Sequence, residues 1–179
     1  MAEAFSNSLT RAAGIVTTAT GGLIGISTNL ITGISTTGIG VSDLVVNANY
    51  IAGSKVTIIG VSSVTVDRDS TNTAATTNQT VRFLGPTTAF TSAAGTKTIL
   101  IGGTFANNTD NSVNLTVETR DASAGVDVAI ASKIPVPAGS SFVITDVGKT
   151  LLEATDEVRV YCDSSNAIDV NLSLLTGVN

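Results

Sequence analysis

The chain has 179 residues, a formal net charge of −5 at pH 7, and no His or Trp. A single Cys excludes an internal disulfide framework, and the lack of His removes Cys/His zinc sites and the Ser–His and Cys–His nucleophile pairs. The acidic balance and an aromatic content of 4% argue against binding to nucleic acid or to an anionic membrane, because phosphate binding depends on Lys and Arg. Charged residues make up only 13% of the chain, which favours a surface that neighbouring molecules cover.

The first segment, residues 1–22, places scattered apolar side chains among Ser, Thr, Ala and Gly. It lacks the basic start and continuous apolar stretch of a secretory signal, so we interpret it as an N-terminal arm. Such a segment is too apolar for a solvated tail and too irregular to build its own core. We therefore predict that it docks on a sheet edge of another subunit, with packing against its own chain as the alternative. The candidate assembly residues are Phe5, Leu9, Ile15 and Val16.

Residues 23–84 are predicted to form a small β module. The stretch from Lys55 to Arg68 has the pattern of a hairpin, with alternating β-branched residues on both sides of a turn at Gly60 to Ser63. Residues 85–95 are rich in turn formers and small side chains, and they form the predicted linker to the second domain.

Residues 96–179 carry the clearest strand signal. Apolar and polar side chains alternate in SVNLTVETR, DEVRVYCD and NAIDVNLSLL, and turn-forming residues separate these stretches. Strands with one buried face and one solvent-exposed face are typical of antiparallel sheets, and two such sheets pack as a sandwich. The sequence therefore predicts an all-β fold, in which a small N-terminal β unit is followed by an antiparallel β-sandwich of jelly-roll type.

No pattern in the chain favours a catalytic, cofactor or metal site. The glycine clusters around Gly21 and Gly38 are not followed by the helix that a phosphate-binding loop requires, so we interpret them as turns or bulges. Asp67 and Asp110 lie near other oxygen-bearing side chains but do not match the EF-hand pattern. Cys162 shares the parity of apolar neighbours and is interpreted as a core residue. We predict no enzymatic activity, no cofactor, no metal and no small-molecule substrate.

The stretch from Val41 to Thr77 contains an Asp-Leu-Val opening, a strand from Ile51 to Val56, and a Val-Thr-Val strand followed by a Thr/Ala-rich tail. These elements resemble a small β module that recurs in structural proteins of tailed bacteriophages. The segments KTILIGGTFANNT, KIPVPAGSSFVI and NAIDVNLSLL are similar to a β-sandwich domain of virion proteins, particularly in phages of cyanobacteria. Together the two resemblances cover most of the chain.

The resemblance implies a structural protein of the virion, made in the host cytoplasm, whose partners are copies of itself and other virion proteins. Within that class we predict a neck or tail protein that assembles as a symmetric oligomer, with a capsid decoration protein as the alternative. A bacterial surface adhesin or carbohydrate-binding module is a further interpretation, because such modules are also β-rich, Thr-rich and acidic. The chain's 5 Phe and 2 Tyr are few for sugar stacking, which argues against that interpretation.

Overall fold

The computed structural model describes residues 3–145 and 149–178. These residues form 15 strands and no helix, so the predicted all-β fold is confirmed. No helix that could cross a membrane occurs in the described part of the chain. The strands, which pair antiparallel, are β1 (Ala4–Ala13), β2 (Ile15–Ile24), β3 (Leu30–Thr32), β4 (Leu44–Val46), β5 (Val56–Ile59), β6 (Ser63–Val66), β7 (Thr76–Gly85), β8 (Thr87–Thr91), β9 (Lys97–Asn107), β10 (Val113–Asp121), β11 (Val126–Val136), β12 (Ser141–Ile144), β13 (Thr150–Leu152), β14 (Glu157–Cys162) and β15 (Ile168–Val178).

The strands fall into two compact units, and the division differs from the predicted one. One unit combines residues 3–14 with residues 87–178, and the other comprises Ile15–Pro86. The segment predicted as a single arm, residues 1–22, contributes β1 to the first unit and the start of β2 to the second. The predicted linker, residues 85–95, contains β8, which pairs with β14. Both differences have the same cause, since β1 and β8 are edge strands whose small and polar side chains hide the usual strand pattern.

Gly14 stands where the chain passes from one unit to the other. Its φ of 120° is accessible only to glycine, and a Cβ at this position would overlap the carbonyl oxygen of Ser164. The Gly14 N–H donates to Oγ1 of Thr87 at 3.2 Å, and its carbonyl accepts from the Asn166 N–H at 2.9 Å. The absence of a side chain therefore lets β1 end in close contact with two other parts of the sandwich.

The unit of residues 3–14 and 87–178 is an antiparallel β-sandwich, as the alternation predicted. One sheet has the strand order β1-β15-β9-β12, with β13 also paired to β9, and the other has the order β11-β10-β14-β8. Alternate positions of both sheets point inward and exclude water from the space between them. These core residues include Leu100, Phe105, Leu115, Val117, Val158, Val160, Val170 and Leu172.

The unit Ile15–Pro86 forms a sheet of six strands in the order β4-β7-β2-β3-β6-β5. Its two terminal strands also meet, because the Val45 N–H donates to the Ser54 carbonyl at 2.8 Å and the Val56 N–H donates to the Asp43 carbonyl at 2.9 Å. The strand order therefore closes on itself, which removes the free edges that an open sheet would expose. The enclosed core includes Ile24, Ile31, Val64, Val81 and Phe83.

The hairpin predicted between Lys55 and Arg68 is present in this unit. Strands β5 and β6 pair antiparallel, and the Gly60 N–H donates to the Ser63 carbonyl at 2.8 Å across the turn. Val61, at the tip of the turn, is 99% exposed.

The chain's 2 tyrosines are expected to ionise at a higher pH in the folded state than in the denatured chain. Burial, with a smaller contribution from the charge of Asp69, raises the pKa of Tyr50 from 10.0 to about 12. Burial also raises the pKa of Tyr161. We therefore expect the ultraviolet absorbance of tyrosinate to appear near pH 10 in the denatured chain and well above it in the folded chain.

The same shift makes stability depend on pH in the alkaline range. Because the folded pKa of Tyr50 lies above the unfolded pKa, its contribution to the free energy of unfolding is complete below pH 10 and is lost as pH rises toward 12. Denaturant titrations across this range measure the loss, and Tyr50→Phe serves as the control in which it becomes smaller. Tyrosinate absorbance that appears at the same pH in folded and denatured chains would contradict this expectation.

Candidate assembly surface

Strand β1 lies at the edge of its sheet and pairs with β15 on one side. Its even-numbered side chains face the sandwich, where Oγ of Ser8 and Oγ1 of Thr10 donate to the carbonyl of Ala89 at 2.8 Å and 3.4 Å. Up to the register shift that follows Thr10, its odd-numbered side chains face away from the core, and Phe5 and Leu9 are 81% and 75% exposed. Two of the candidate assembly residues are therefore brought together on one open face, which we call the outer face of this sheet.

The outer face carries two cross-strand rows that contain exposed apolar side chains. In the first row, Phe5 lies opposite Leu175, Leu175 lies opposite Ile99, and Ile99 lies opposite Leu151. Phe5 and Leu151 are exposed and the two residues between them are half-buried. An apolar stripe thus crosses four strands of the sheet. Apolar stripes of this kind on a soluble protein mark sites of interaction with other molecules.

The second row joins Leu9 of β1 to Val143 of β12 through two polar residues of the intervening strands, Asn171 and Thr104. Val143 is half exposed, at 49%. The sequence did not single out the partners of Phe5 and Leu9 on this face. The alternation of these partner residues along their own strands is visible in the sequence, but only the strand register shows that they line up with Phe5 and Leu9 of β1.

Charged groups lie toward the margins of the outer face. Beyond the first row, Nζ of Lys97 and Oε1 of Glu153 form an ion pair at 3.0 Å. Beyond the second row, the carboxylate of Asp169 accepts from the Ala12 N–H at 2.8 Å. The area between the rows presents small polar or glycine residues, such as Asn7 opposite Ser173. Uncharged residues of β1 and β15 between the rows, with charged groups beyond both rows, match the composition of a protein–protein interface.

The other two candidate residues, Ile15 and Val16, belong to the unit Ile15–Pro86. Ile15 is 50% exposed and pairs with Gly85, whereas Val16 is half-buried and pairs with Leu84. As neighbours on β2 they point to opposite faces of the strand. The structure therefore does not place these two residues on the outer face with Phe5 and Leu9.

The second sheet of the sandwich carries a cluster of charged side chains that the sequence analysis did not identify. Arg159 contacts Oε2 of Glu157 at 2.6 Å and Oδ1 of Asp127 at 3.9 Å, and Arg120 contacts the same Asp127 atom at 3.5 Å. These residues lie on three adjacent strands, β11, β10 and β14, where alternate positions meet. The cluster holds neighbouring strands in register through opposite charges.

Burial raises the pKa of Tyr161 on the same strand, and the negative charges of Glu118 and Asp127 raise it further. Tyr161 is fully buried, so its hydroxyl stays protonated and neutral over the physiological range.

The loop around Asp110, which does not match the EF-hand pattern, is organised by Asn107. This side chain is buried, and its Nδ2 donates to the carbonyls of Asn111, Val136 and Pro137 at 2.7, 2.9 and 3.1 Å. Its Oδ1 accepts from the Thr109 N–H at 2.9 Å. The amide therefore ties the loop to the sandwich. Among the described residues, no group of three or more His, Cys, Asp or Glu side chains is arranged to hold a metal ion.

Replacing Asn107 with Ala is expected to lower the free energy of unfolding of the sandwich by about 2–3 kcal/mol, because three carbonyls lose a donor and the bond to the Val136 carbonyl is buried. Denaturant unfolding followed by circular dichroism measures the loss. The control is Asn108→Ala, in the neighbouring exposed position, which we expect to change stability by less than about 0.5 kcal/mol. Equal effects of the two substitutions would contradict this account of the loop.

Comparison of the chain with protein-family models, with curated proteins and with solved structures finds no match. The outer face and the composition of the chain are therefore the features that bear on its function. The outer face joins Phe5 and Leu9 to apolar residues of four other strands. Cys162 and Asp67 are accounted for by structure, since Cys162 is buried and the Asp67 carboxylate accepts from the Lys55 N–H at 2.7 Å.

Proposed function

We propose that this chain is a non-enzymatic structural component of a bacteriophage virion, where it assembles into a symmetric oligomer at the neck or tail. The observation that carries the proposal is the outer face, on which an apolar stripe crosses four strands of one sheet. Apolar stripes of this kind on a sheet face bind other proteins over a wide area. The resemblance of the sequence to phage structural modules supplies the biological setting.

Several properties of the chain support a role in assembly over a role in binding small ligands. Charged residues make up 13% of the chain, so much of its surface is compatible with burial against neighbours. The charged cluster of the second sheet lies between strands and pairs its own members. A net charge of −5 disfavours packing against the phage genome and supports a position away from the DNA-binding parts of a particle.

The adhesin interpretation receives less support from the surface. Sugar rings stack on exposed aromatic faces, and Phe5 is the sole aromatic among the large hydrophobic residues that are exposed in the described part of the chain. Phe5 is also aligned with aliphatic residues of the adjacent strands, as expected for a protein interface.

Quantitative mass spectrometry of purified virions tests the proposal. Particles are separated into heads and tails, and the peptide signal of this chain is compared with that of an abundant host protein as a contamination control. We expect the chain to co-purify with the tail fraction at a constant ratio to other structural proteins. A signal that falls with each purification step in parallel with the host protein would overturn the proposal, and enrichment with heads would indicate the capsid decoration role.

A further inference from the structure

Strand β1 has a free edge without the usual protection against pairing. It is ten residues long, and one side pairs with β15 while the other side pairs with no strand of the described chain. Edge strands of monomeric proteins are protected by Pro, by Lys, by early bulges or by short length. Residues 4–10 contain neither Pro nor Lys, and the register with β15 is unbroken until Thr10. Such an edge is suited to pair with another strand.

The sequence of β1 is nearly symmetric about Asn7. Reading outward from Asn7, the chain has Ser on both sides, then Phe5 on one side and Leu9 on the other. An antiparallel pair of two identical strands places residues directly opposite each other when their numbers have a constant sum. Centred on Asn7, this pairing sets Ser opposite Ser and an aromatic ring opposite an aliphatic side chain, both of which are favourable cross-strand pairs.

We propose that two copies of this chain pair antiparallel through the free edges of β1, with Asn7 of both copies on the twofold axis. Phe5 then lies opposite Leu9 of the partner subunit, and Leu9 lies opposite the partner's Phe5. Both residues are exposed on the outer face of the isolated chain, at 81% and 75%. The two apolar stripes join into one surface that spans both copies.

Charge complementarity fixes the same register. Two residues further from the centre, Glu3 on one side and Arg11 on the other are both exposed. In the pairing centred on Asn7, Glu3 lies opposite Arg11 of the partner subunit, and the twofold axis repeats this pair at the other end. A shift by two residues would lose both ion pairs and the Phe–Leu contacts, so the symmetric register is favoured over its neighbours.

The backbone of β1 is available for this pairing. Ser8 and Thr10 direct their hydroxyls toward the carbonyl of Ala89, so their side chains anchor β1 to the sandwich without occupying its outer edge. Residues 4–7 are exposed. Pairing of the two edges makes a continuous sheet in which each copy satisfies backbone groups of the other, which is the physical basis of strand addition.

This inference names the partner of β1 and rests on the proposed function only in treating the outer face as an assembly surface. Its first test is cross-linking of the full-length chain through a new cysteine. In the proposed dimer the two copies of position 7 face each other directly, with Cβ atoms about 5 Å apart. Position 173 lies opposite Asn7 on β15, so its two copies are separated by three strand spacings, or about 14 Å.

We therefore expect Asn7→Cys to form a covalent dimer under mild oxidation, with about tenfold more product than the matched control Ser173→Cys, because a disulfide cannot span more than about 7 Å between Cα atoms. The native Cys162 is buried, so oxidation of the wild-type chain measures the background yield of covalent dimer. Equal yields from the two variants, or no dimer from Asn7→Cys while the chain remains folded, would overturn the proposed pairing.

A charge exchange tests the register independently. Glu3→Arg sets Arg opposite Arg at both ends, and Arg11→Glu sets Glu opposite Glu, so we expect each variant to raise the dimer dissociation constant about tenfold. A mixture of the two variants restores opposite charges at both ends, and we expect heterodimers with the wild-type dissociation constant. No recovery on mixing would overturn the register. These measurements use purified chain, so their failure is distinguishable from absence of the chain from virions.

Discussion

Replacing Phe105 with Ala is expected to lower the free energy of unfolding of the sandwich by about 3–5 kcal/mol. The ring is fully buried, and its centroid lies 6.1 Å from that of Phe142 in a tilted arrangement. On β9, Phe105 pairs with Val170 on one side and with Phe142 on the other, so the substitution leaves a cavity at the centre of the sheet. The neighbouring Gly103 provides room for the ring, since a Cβ there would lie 3.3 Å from Cε2 of Phe105.

Urea denaturation followed by circular dichroism measures this loss, and hydrogen exchange of peptides from β9 and β15 assigns it to the sandwich. The control is Phe5→Ala, which removes an equal side chain from an exposed position and is expected to change stability by less than about 0.5 kcal/mol in dilute solution. A small loss for Phe105→Ala, comparable with that of Phe5→Ala, would show that Phe105 is not a core residue.

Replacing Gly14 with Ala is expected to lower the free energy of unfolding by about 3 kcal/mol or more, because backbone strain and a steric collision combine. The φ of 120° lies in a region that side chains with a Cβ rarely adopt, and the new Cβ would collide with the backbone oxygen of Ser164. Cβ of Cys162 would lie only 3.1 Å away on another side, so the surroundings cannot move apart without disturbing β14. Thermal unfolding of the purified variant measures the loss.

Gly95→Ala is the matched control for Gly14→Ala. Gly95 also has a positive φ, of 74°, but no atom lies within 4 Å of its hypothetical Cβ. Gly95→Ala therefore introduces the backbone strain without the collision, and we expect it to lower the free energy of unfolding by about 1 kcal/mol. If the two variants lose equal stability, the close approach of Ser164 to Gly14 is not present in solution.

The central strands of the sandwich could be predicted from the sequence because burial on one face dictates their alternation. In β10, Leu115 and Val117 are buried on the core side, and the same pattern predicted β14 and β15. The edge strands could not be predicted in this way. β8 has one fully buried apolar residue, the small Ala89, and Phe90 packs only partly against the core, so its pairing with β14 supplies the stability that its own sequence lacks.

The division between the units was missed for a related reason. β1 pairs with β15 across most of the length of the chain, with Phe5 opposite Leu175, and no local pattern records so distant a partner. In the structure, Phe5 and Leu9 of the segment 1–22 are exposed, while their assembly role stays a prediction. Only the structure shows the strand register, which aligns Phe5 and Leu9 with Leu151 and Val143. It also shows that Ile15 belongs to the other unit.

The role of the outer face in assembly is tested most directly by sedimentation velocity of the full-length chain over a range of concentrations. We expect the wild-type chain to sediment as a multiple of the 18.0 kDa protomer, and the double variant Phe5→Lys/Leu9→Lys to sediment as the protomer with unchanged circular dichroism. Lysines on an edge strand oppose pairing and remain solvated on an exposed face, so they are expected to leave the fold intact. A wild-type chain that sediments as a single 18.0 kDa species at every concentration would contradict the account.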